Sequence, residues 1–203
     1  MLNKAKIAVM VSGRGTNLQA LIDAEKSGII KSGKIELVLS NKADAFALTR
    51  ANRAGIETAV VLRSETGDAF EDTLIAELDR RGIDLIVLAG FMAILSEKFT
   101  SHYRDRIINV HPSLIPSFCG KGFYGLRVHE AALEYGVRVS GATVHFVNEI
   151  PDGGKIIMQK AVEVLETDTP ETLQKRIMEQ AEWKILPLSC EKVCSEIVKE
   201  KEI

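Results

Sequence analysis

Cysteine is scarce in this chain of 203 residues, and the three present cannot all pair. Cys119, Cys190 and Cys194 are not spaced as a CxxC metal or redox pair, so a disulfide scaffold is excluded and a reducing, cytoplasmic compartment is expected. An excess of charge of one sign is missing too. The 26 Lys and Arg residues nearly balance 28 Asp and Glu, leaving a net charge of -2. No sequence-wide field therefore favours nucleic acid or an acidic membrane surface, and neither is expected as a partner. No apolar run is long enough to span a bilayer. The opening MLNKAKIAVMVSG meets Arg14 quickly and lacks a cleavage-type ending, so it reads as a first strand, not a signal peptide. Internal repeats and low-complexity linkers are absent as well. What remains is ordinary globular usage, 46% apolar and 27% charged, in a chain long enough to bury a real core as one large domain or two tightly joined ones.

Apolar runs alternate with helical patterns from the start. Strands are expected over 6–12, 35–40, 58–62 and 84–89, the last (DLIVLA) apolar throughout, as a strand covered on both faces would be. Helices are expected over 17–27, 43–54 and 68–81, with Gly28 and Gly82 as C-terminal caps. Such a βαβαβαβ series implies an α/β fold, a Rossmann-like, mostly parallel twisted sheet with helices on both faces. The second half differs. After IINVHPS comes an irregular stretch, then a short helix over 128–135 and two extended runs, 137–147 and 155–165, joined by the turn-rich NEIPDGG. These predict an antiparallel hairpin at one end of the sheet. A helix over 170–185, with Thr169 as N-cap before Pro170, closes the chain and further helix follows.

Two places suggest chemistry. In SGRGTN, Gly13 and Gly15 allow a tight turn from strand into helix, and the helix start offers free N–H groups to a phosphate. A dinucleotide site is disfavoured, because Leu18 stands where a third glycine belongs and the second strand ends in Ser40-Asn41 without an acid. No Gly-Lys-Ser/Thr is present either, so a single sugar phosphate fits better than NAD or ATP. The second place is IINVHPS. Side chains two apart on a strand share a face, so Asn109 and His111 point together and Val110 points away, while Pro112 ends the ladder.

The other histidines have plainer readings. His102 lies in a charged segment as a solvated or capping residue, and His129 beside Glu130 reads as a surface residue. His145, between Val144 and Phe146, reads as a hydrogen-bonded core residue, with a role beside a site left open. HxxxH and HxH patterns are absent, which argues against a metal, and there is no GxSxG elbow for a serine hydrolase. Proton transfer by His111 with Asn109 as oxyanion donor remains. Asp152 is the candidate orienting carboxylate, against the plain reading of a turn Asp before two glycines.

SGRGTNLQALI, SNKADAFALTRA, VLAGFMAIL, INVHPSLIPSF, GATVHFV and DGGKIIMQ occur in that order, and together they resemble the folate-dependent formyltransferases over nearly the whole chain. INVHPSLIPSF with a later HFV and DGG belongs to the wider superfamily, and SGRGTN narrows the resemblance to the glycinamide ribonucleotide branch. The resemblance implies the formyltransferase fold in a single domain over 1–203, with a phosphate-binding half (1–100) and a catalytic and folate-binding half (101–203). It implies formyl transfer from 10-formyltetrahydrofolate, as co-substrate, to the amine of 5'-phosphoribosylglycinamide, without metal, through a tetrahedral intermediate. By that resemblance Gly15, Thr16 and Asn17 hold the substrate phosphate, and Asn109, His111 and Asp152 are catalytic. Asn109 and a protonated His111 would hold the oxyanion, with Asp152 raising the pKa of His111. Folate would lie against Met92, Ala93, Ile94 and Leu95, with Asn109, and against Asn148, Glu149, Ile150, Pro151 and Asp152. Glu182 would meet the ribose or amide.

The chain departs from the family pattern just before Asp-Gly-Gly in NEIPDGG and at four further places. Ala93 stands where Arg is frequent, and Gly67 where a basic residue is expected, with Arg63 nearby. Trp183 replaces a common His, and Glu179 a typical Gln or Lys. Alternatives are a 10-formyltetrahydrofolate hydrolase, sharing the trio but usually carrying an extra N-terminal domain, and a non-catalytic nucleotide-binding module. Whether the chain forms a homodimer stays open.

Overall fold

The computed structural model describes residues 4–202; Met1 to Asn3 of the opening run, and Ile203, lie outside the described residues. Seven strands form one sheet in the order β3-β2-β1-β4-β5-β6-β7. The strands are β1 (Ala5–Val11), β2 (Gly33–Ser40), β3 (Glu57–Val60), β4 (Leu85–Leu88), β5 (Ile107–His111), β6 (Val139–Phe146) and β7 (Ile156–Glu163). β1 to β5 pair in parallel, whereas β5–β6 and β6–β7 are antiparallel. The expected hairpin is therefore β6–β7 at the sheet's edge, and β6 also returns antiparallel to β5.

β1 (AKIAVMV) and β4 (LIVL) are apolar on both faces because both faces are covered. On one face Ile7, Val9, Val87 and Ile108 pack with helices α1 (Thr16–Lys26), α2 (Phe46–Arg53), α7 (Pro170–Ile177) and α8 (Trp183–Lys201). On the other, Ala8, Met10, Ile86 and Ile107 meet Phe70, Leu74 and Leu78 of α4 (Phe70–Arg81) and Phe99 of α5 (Glu97–His102). Each fully buried Leu or Phe in these layers removes enough apolar surface to contribute roughly 1.5–3 kcal/mol.

Element boundaries shift by a few residues from the expected spans. The helix expected over 68–81 begins at Phe70, preceded by a short helix α3 (Arg63–Thr66) and a 3-10 turn at Gly67–Ala69. α5 was not anticipated, although Ser96 caps it by accepting the Phe99 N–H. At Thr169 the capping box is complete: Thr169 and Thr172 bond each other's backbone, and Pro170 takes the first helical position. The helix expected to end at 185 instead runs on through a π-helical turn, Met178–Glu182, into α8. Pro187 lies inside α8 and has no N–H for the Trp183 carbonyl four residues earlier, and the helix widens immediately upstream.

His129 corrects the surface reading. It lies on α6 (Leu126–Tyr135), which packs against α7, and its side chain is wholly buried beside Val128 and Ala132. Glu130 is indeed exposed, but successive helical residues stand about 100° apart. Neither ring nitrogen of His129 has a partner among the described residues, and burial, with His111 adding to it, pushes its pKa down to about 4. The unfolded chain thus binds a proton at this residue near pH 6.5 that the folded chain refuses until much lower pH. Stability falls as pH falls through that window. Replacing His129 with Leu should remove about 2 kcal/mol of the stability lost between pH 8 and pH 5, measured by urea unfolding at both values. An identical pH loss in the two proteins would contradict it.

Candidate active site

The strand order reverses at β1: β2 and β3 lie on one side of it, β4 and β5 on the other. The loops leaving β1 and β4 therefore diverge, and open α/β sheets bind ligands in such a crevice beyond the strands' carboxyl ends. Both sequence-derived clusters stand at this end of the sheet. Ser12, buried at the end of β1, donates to Asn41 Oδ1 (2.7 Å) beyond β2 and accepts the Met92 N–H (2.8 Å) beyond β4. One hydroxyl thus ties three loops of the site together.

The first cluster is the turn into α1. Gly15 adopts a left-handed conformation (φ 72°, ψ 36°) immediately before the first helical residue, Thr16. Asn17 Nδ2 donates to Glu182 Oε2 at 2.7 Å, so the phosphate-loop candidates and Glu182 do come together. Burial raises the Glu182 carboxyl to about 7 against the opposing bond from Asn17, leaving it able to donate or accept near neutral pH. The π turn supplies the reach, because Glu182 is its last residue and points inward.

The second cluster assembles on β5 and β6. As periodicity predicted, Val110 faces the α1/α8 core, while Asn109 and His111 face the other way. Asn109 sits directly opposite His145 in the antiparallel register, with its Nδ2 at 3.2 Å from His145 Nε2. His145 Nδ1 lies 2.8 Å from the Phe146 carbonyl, which can only accept, so the ring's proton is on Nδ1 and Nε2 receives one Asn109 amide hydrogen. The second amide hydrogen is left for a ligand. His111 Nε2 donates to the Phe118 carbonyl at 2.9 Å, which makes Nδ1 its proton-accepting atom. Asp152 stands between the two rings, Oδ2 at 3.5 Å from His111 Nδ1 and Oδ1 at 3.6 Å from His145 Nε2. The trio is thus brought together, and His145 joins it as a fourth member. Its core-residue reading was right for burial, but the cross-strand pairing that gives it Asn109 as neighbour is set by a distant strand.

Asp152 reaches this position through its turn. Its own backbone is left-handed (φ 57°), a region Asp tolerates, and Asn148 Oδ1 accepts the Ile150 N–H within the loop. Gly154 must be glycine, since a Cβ there would fall 1.7 Å from the Phe146 carbonyl oxygen. The Gly120 N–H donates to Asp152 Oδ2 at 2.8 Å, so the 118–120 segment grips both His111 and Asp152.

Burial alone would raise the Asp152 pKa, but the His145 and His111 rings and the Gly120 N–H outweigh it and hold the carboxyl below its ordinary value. For His111 burial dominates and lowers the pKa, with Asp152 opposing. The expected sign of the Asp152 effect is right, but the net shift is downward. At rest His111 is therefore a neutral imidazole whose N–H is already spent on Phe118.

A cavity of about 140 Å³ opens beside the trio, lined by Asn109, Ala93, Ile94, Leu95 and Asn148 through Asp152. Leu88, Phe91, His145 and Val147 also line it and were not anticipated. Met92 is not among its walls; it is half-exposed and its amide is held by Ser12. No group of three or more His, Cys, Asp or Glu among the described residues is arranged to hold a metal, and none of their helices is long and apolar enough to cross a membrane.

The formyl transferase family pattern matches residues 5–189. The chain belongs to that family. It is 46% identical to the phosphoribosylglycinamide formyltransferase of Haemophilus influenzae, over 90% of this chain and 84% of that one. Identity to the Escherichia coli protein of the same name is also 46%, with the same coverage. A crystal structure of glycinamide ribonucleotide transformylase 1 from Symbiobacterium toebii superposes with a TM-score of 0.88 at 40% identity, covering 95% of this chain and 89% of that chain. The family's members thus share the mixed sheet seen here.

The electrostatics at Asp152 are directly testable. In Asp152→Asn the partner opposing burial is lost, so the His111 titration midpoint, followed by imidazole NMR, should move further below the ordinary histidine value. An unmoved or raised midpoint would remove Asp152 from that role.

Proposed function

We propose that this chain transfers the formyl group of 10-formyltetrahydrofolate to the primary amine of 5'-phosphoribosylglycinamide in purine biosynthesis. The observation that carries the reading is the Asp152 carboxylate set between His111 and His145 beside Asn109, at the wall of a largely apolar cavity. The folate co-substrate takes that cavity, its flat ring against Ala93, Ile94, Leu95 and the 148–152 loop. The amine's phosphate lies at Gly15, Thr16 and Asn17, and Glu182 meets its ribose or amide.

The amine attacks the formyl carbon directly, and the carbonyl oxygen becomes an oxyanion held by the free amide hydrogen of Asn109. The ammonium proton passes to Nδ1 of His111, whose new charge is matched by Asp152. That proton then moves to the folate nitrogen as its bond to the tetrahedral carbon breaks, leaving the formylated amide and His111 neutral again. The chain itself is never acylated.

A single domain over 1–203 is the natural unit for this chemistry. The two halves share the site, with Leu88 and Ala93 from the first half facing Asn109 and His145 from the second, and Asn17 bonded to Glu182. The partners are small molecules and the compartment is the cytoplasm. The relatives named above are transferases, which leaves the hydrolase and binding-module readings without support.

Mixing the protein with 10-formyltetrahydrofolate should show loss of the formyl group that depends on added phosphoribosylglycinamide. Equal loss without the amine would make it a hydrolase, and no reaction in either case a binding module. His111→Ala should lower kcat by roughly 10²–10⁴-fold, the usual contribution of a positioned acid–base group, while equilibrium binding of phosphoribosylglycinamide is largely kept. Retained turnover in that variant would exclude His111 as the proton carrier.

A further inference from the structure

The turn that starts α1 is shaped from outside by α2. The Ala47 N–H donates to the Gly13 carbonyl at 3.0 Å. Three residues along α2, Arg50 Nε donates to the Arg14 carbonyl at 2.9 Å. The Arg50 guanidinium is itself fixed on two further sides. Nη1 donates to Gln19 Oε1 at 3.1 Å, and the group lies over the Phe46 ring, 5.2 Å from its centre. Two successive carbonyls of the turn are thus anchored to one helix.

The geometry of the peptide unit turns this into a statement about donors. In a planar trans peptide the carbonyl and the following N–H point in opposite directions. With the Gly13 and Arg14 carbonyls held toward α2, the Arg14 and Gly15 N–H groups are aimed away from it. Neither N–H has a partner among the described residues. They adjoin the free N–H groups that any helix start presents, here at Thr16 and Asn17. Consecutive N–H groups converging beside a left-handed residue form a concavity suited to an anion. The space on the α2 side is closed, since a Cβ on Gly15 would lie 2.6 Å from the Ala47 Cβ.

We propose that Arg50 is a positioning residue for the substrate phosphate. It turns the Arg14 carbonyl, which would repel an anion, toward α2, and so presents the Gly15 N–H to the ligand. It needs no contact with the phosphate to do this. Its effect falls on binding of the phosphorylated amine and not on formyl transfer, which takes place on β5 and β6. The inference rests on the reading that the turn at Gly15 to Asn17 holds the phosphate, and the test separates the two.

Steady-state kinetics would compare phosphoribosylglycinamide with its dephosphorylated form, ribosylglycinamide, in the wild type, Arg50→Met, Arg50→Lys and Gly15→Ala. Arg50→Met should raise KM for the phosphorylated amine about tenfold, the worth of one hydrogen bond from a charged donor, with kcat and the kcat/KM of ribosylglycinamide close to wild type. Arg50→Lys keeps the charge without the fork that holds Arg14 and Gln19, so it should show the same selective loss to a smaller degree. It also serves if the Met variant fails to fold. Added ethylguanidinium should restore part of the lost KM in Arg50→Met. A preference for the phosphorylated amine that falls in Gly15→Ala but not in the Arg50 variants would overturn the role of Arg50 alone. No change in Gly15→Ala either would overturn the phosphate reading of the turn, and this inference with it. Equal losses on both amines in the Arg50 variants would make Arg50 a general structural residue and refute the proposal.

Discussion

The reversal of strand order at β1 is the constraint on which the site depends. Because the chain crosses from β3 to β4 past β1, the loops after β1 and β4 leave in opposite directions and a crevice opens between them. Every element of the proposed chemistry borders it: the SGRGTN turn after β1, the 91–95 segment after β4, and Asn109 with His111 at the end of β5. Ser12 keeps the crevice from spreading by bonding Asn41 on one side and Met92 on the other. Because the buried hydroxyl both donates and accepts, its desolvation is compensated, and losing it would break both ties at once.

The second demand is electrostatic. A carboxylate buried among side chains is expensive unless it is paired and hydrogen-bonded. Asp152 accepts one backbone N–H, from Gly120, and lies beside two imidazoles that offset its charge once one is protonated, the arrangement a passing proton requires. In the proposed transfer the neutral His111 is the base, and the carboxylate beside it becomes most valuable when that base is charged. Stabilisation is thereby concentrated on the reacting state and away from the resting one.

How far the sequence could be read depends on how local each feature is. Asn109 and His111 sharing a face follows from the period of a strand, and Thr169 with Pro170 announces a helix start from four residues. The parallel half of the sheet followed from alternation alone. His145 could not be placed this way, because its meeting with Asn109 depends on a register between strands whose sequences carry no mark of it. His129 failed for a different reason: Glu130 beside it is exposed, but an adjacent residue on a helix faces elsewhere. Met92 was assigned by resemblance to the folate wall, yet its amide is drawn to Ser12 and its side chain outward. The trio itself was legible as a set of residues. The net direction of the His111 shift was not, since that depends on burial summed over several elements.

The π turn at Met178–Glu182 carries a consequence for how such a chain can vary. It fits one extra residue into a single turn, directly before the proline-containing start of α8. Because the wider turn takes up that residue within itself, the helix beyond keeps its rotation, including the buried stripe of Leu186, Cys190, Val193 and Ile197. Removing one residue here would relax the turn to an ordinary helix and leave that stripe facing the core, while drawing Glu182 away from Asn17. The effect of the extra residue is therefore local to the placement of Glu182. A single deletion at this turn would thus spare the core and act on the contact between Glu182 and the turn at Gly15 to Asn17.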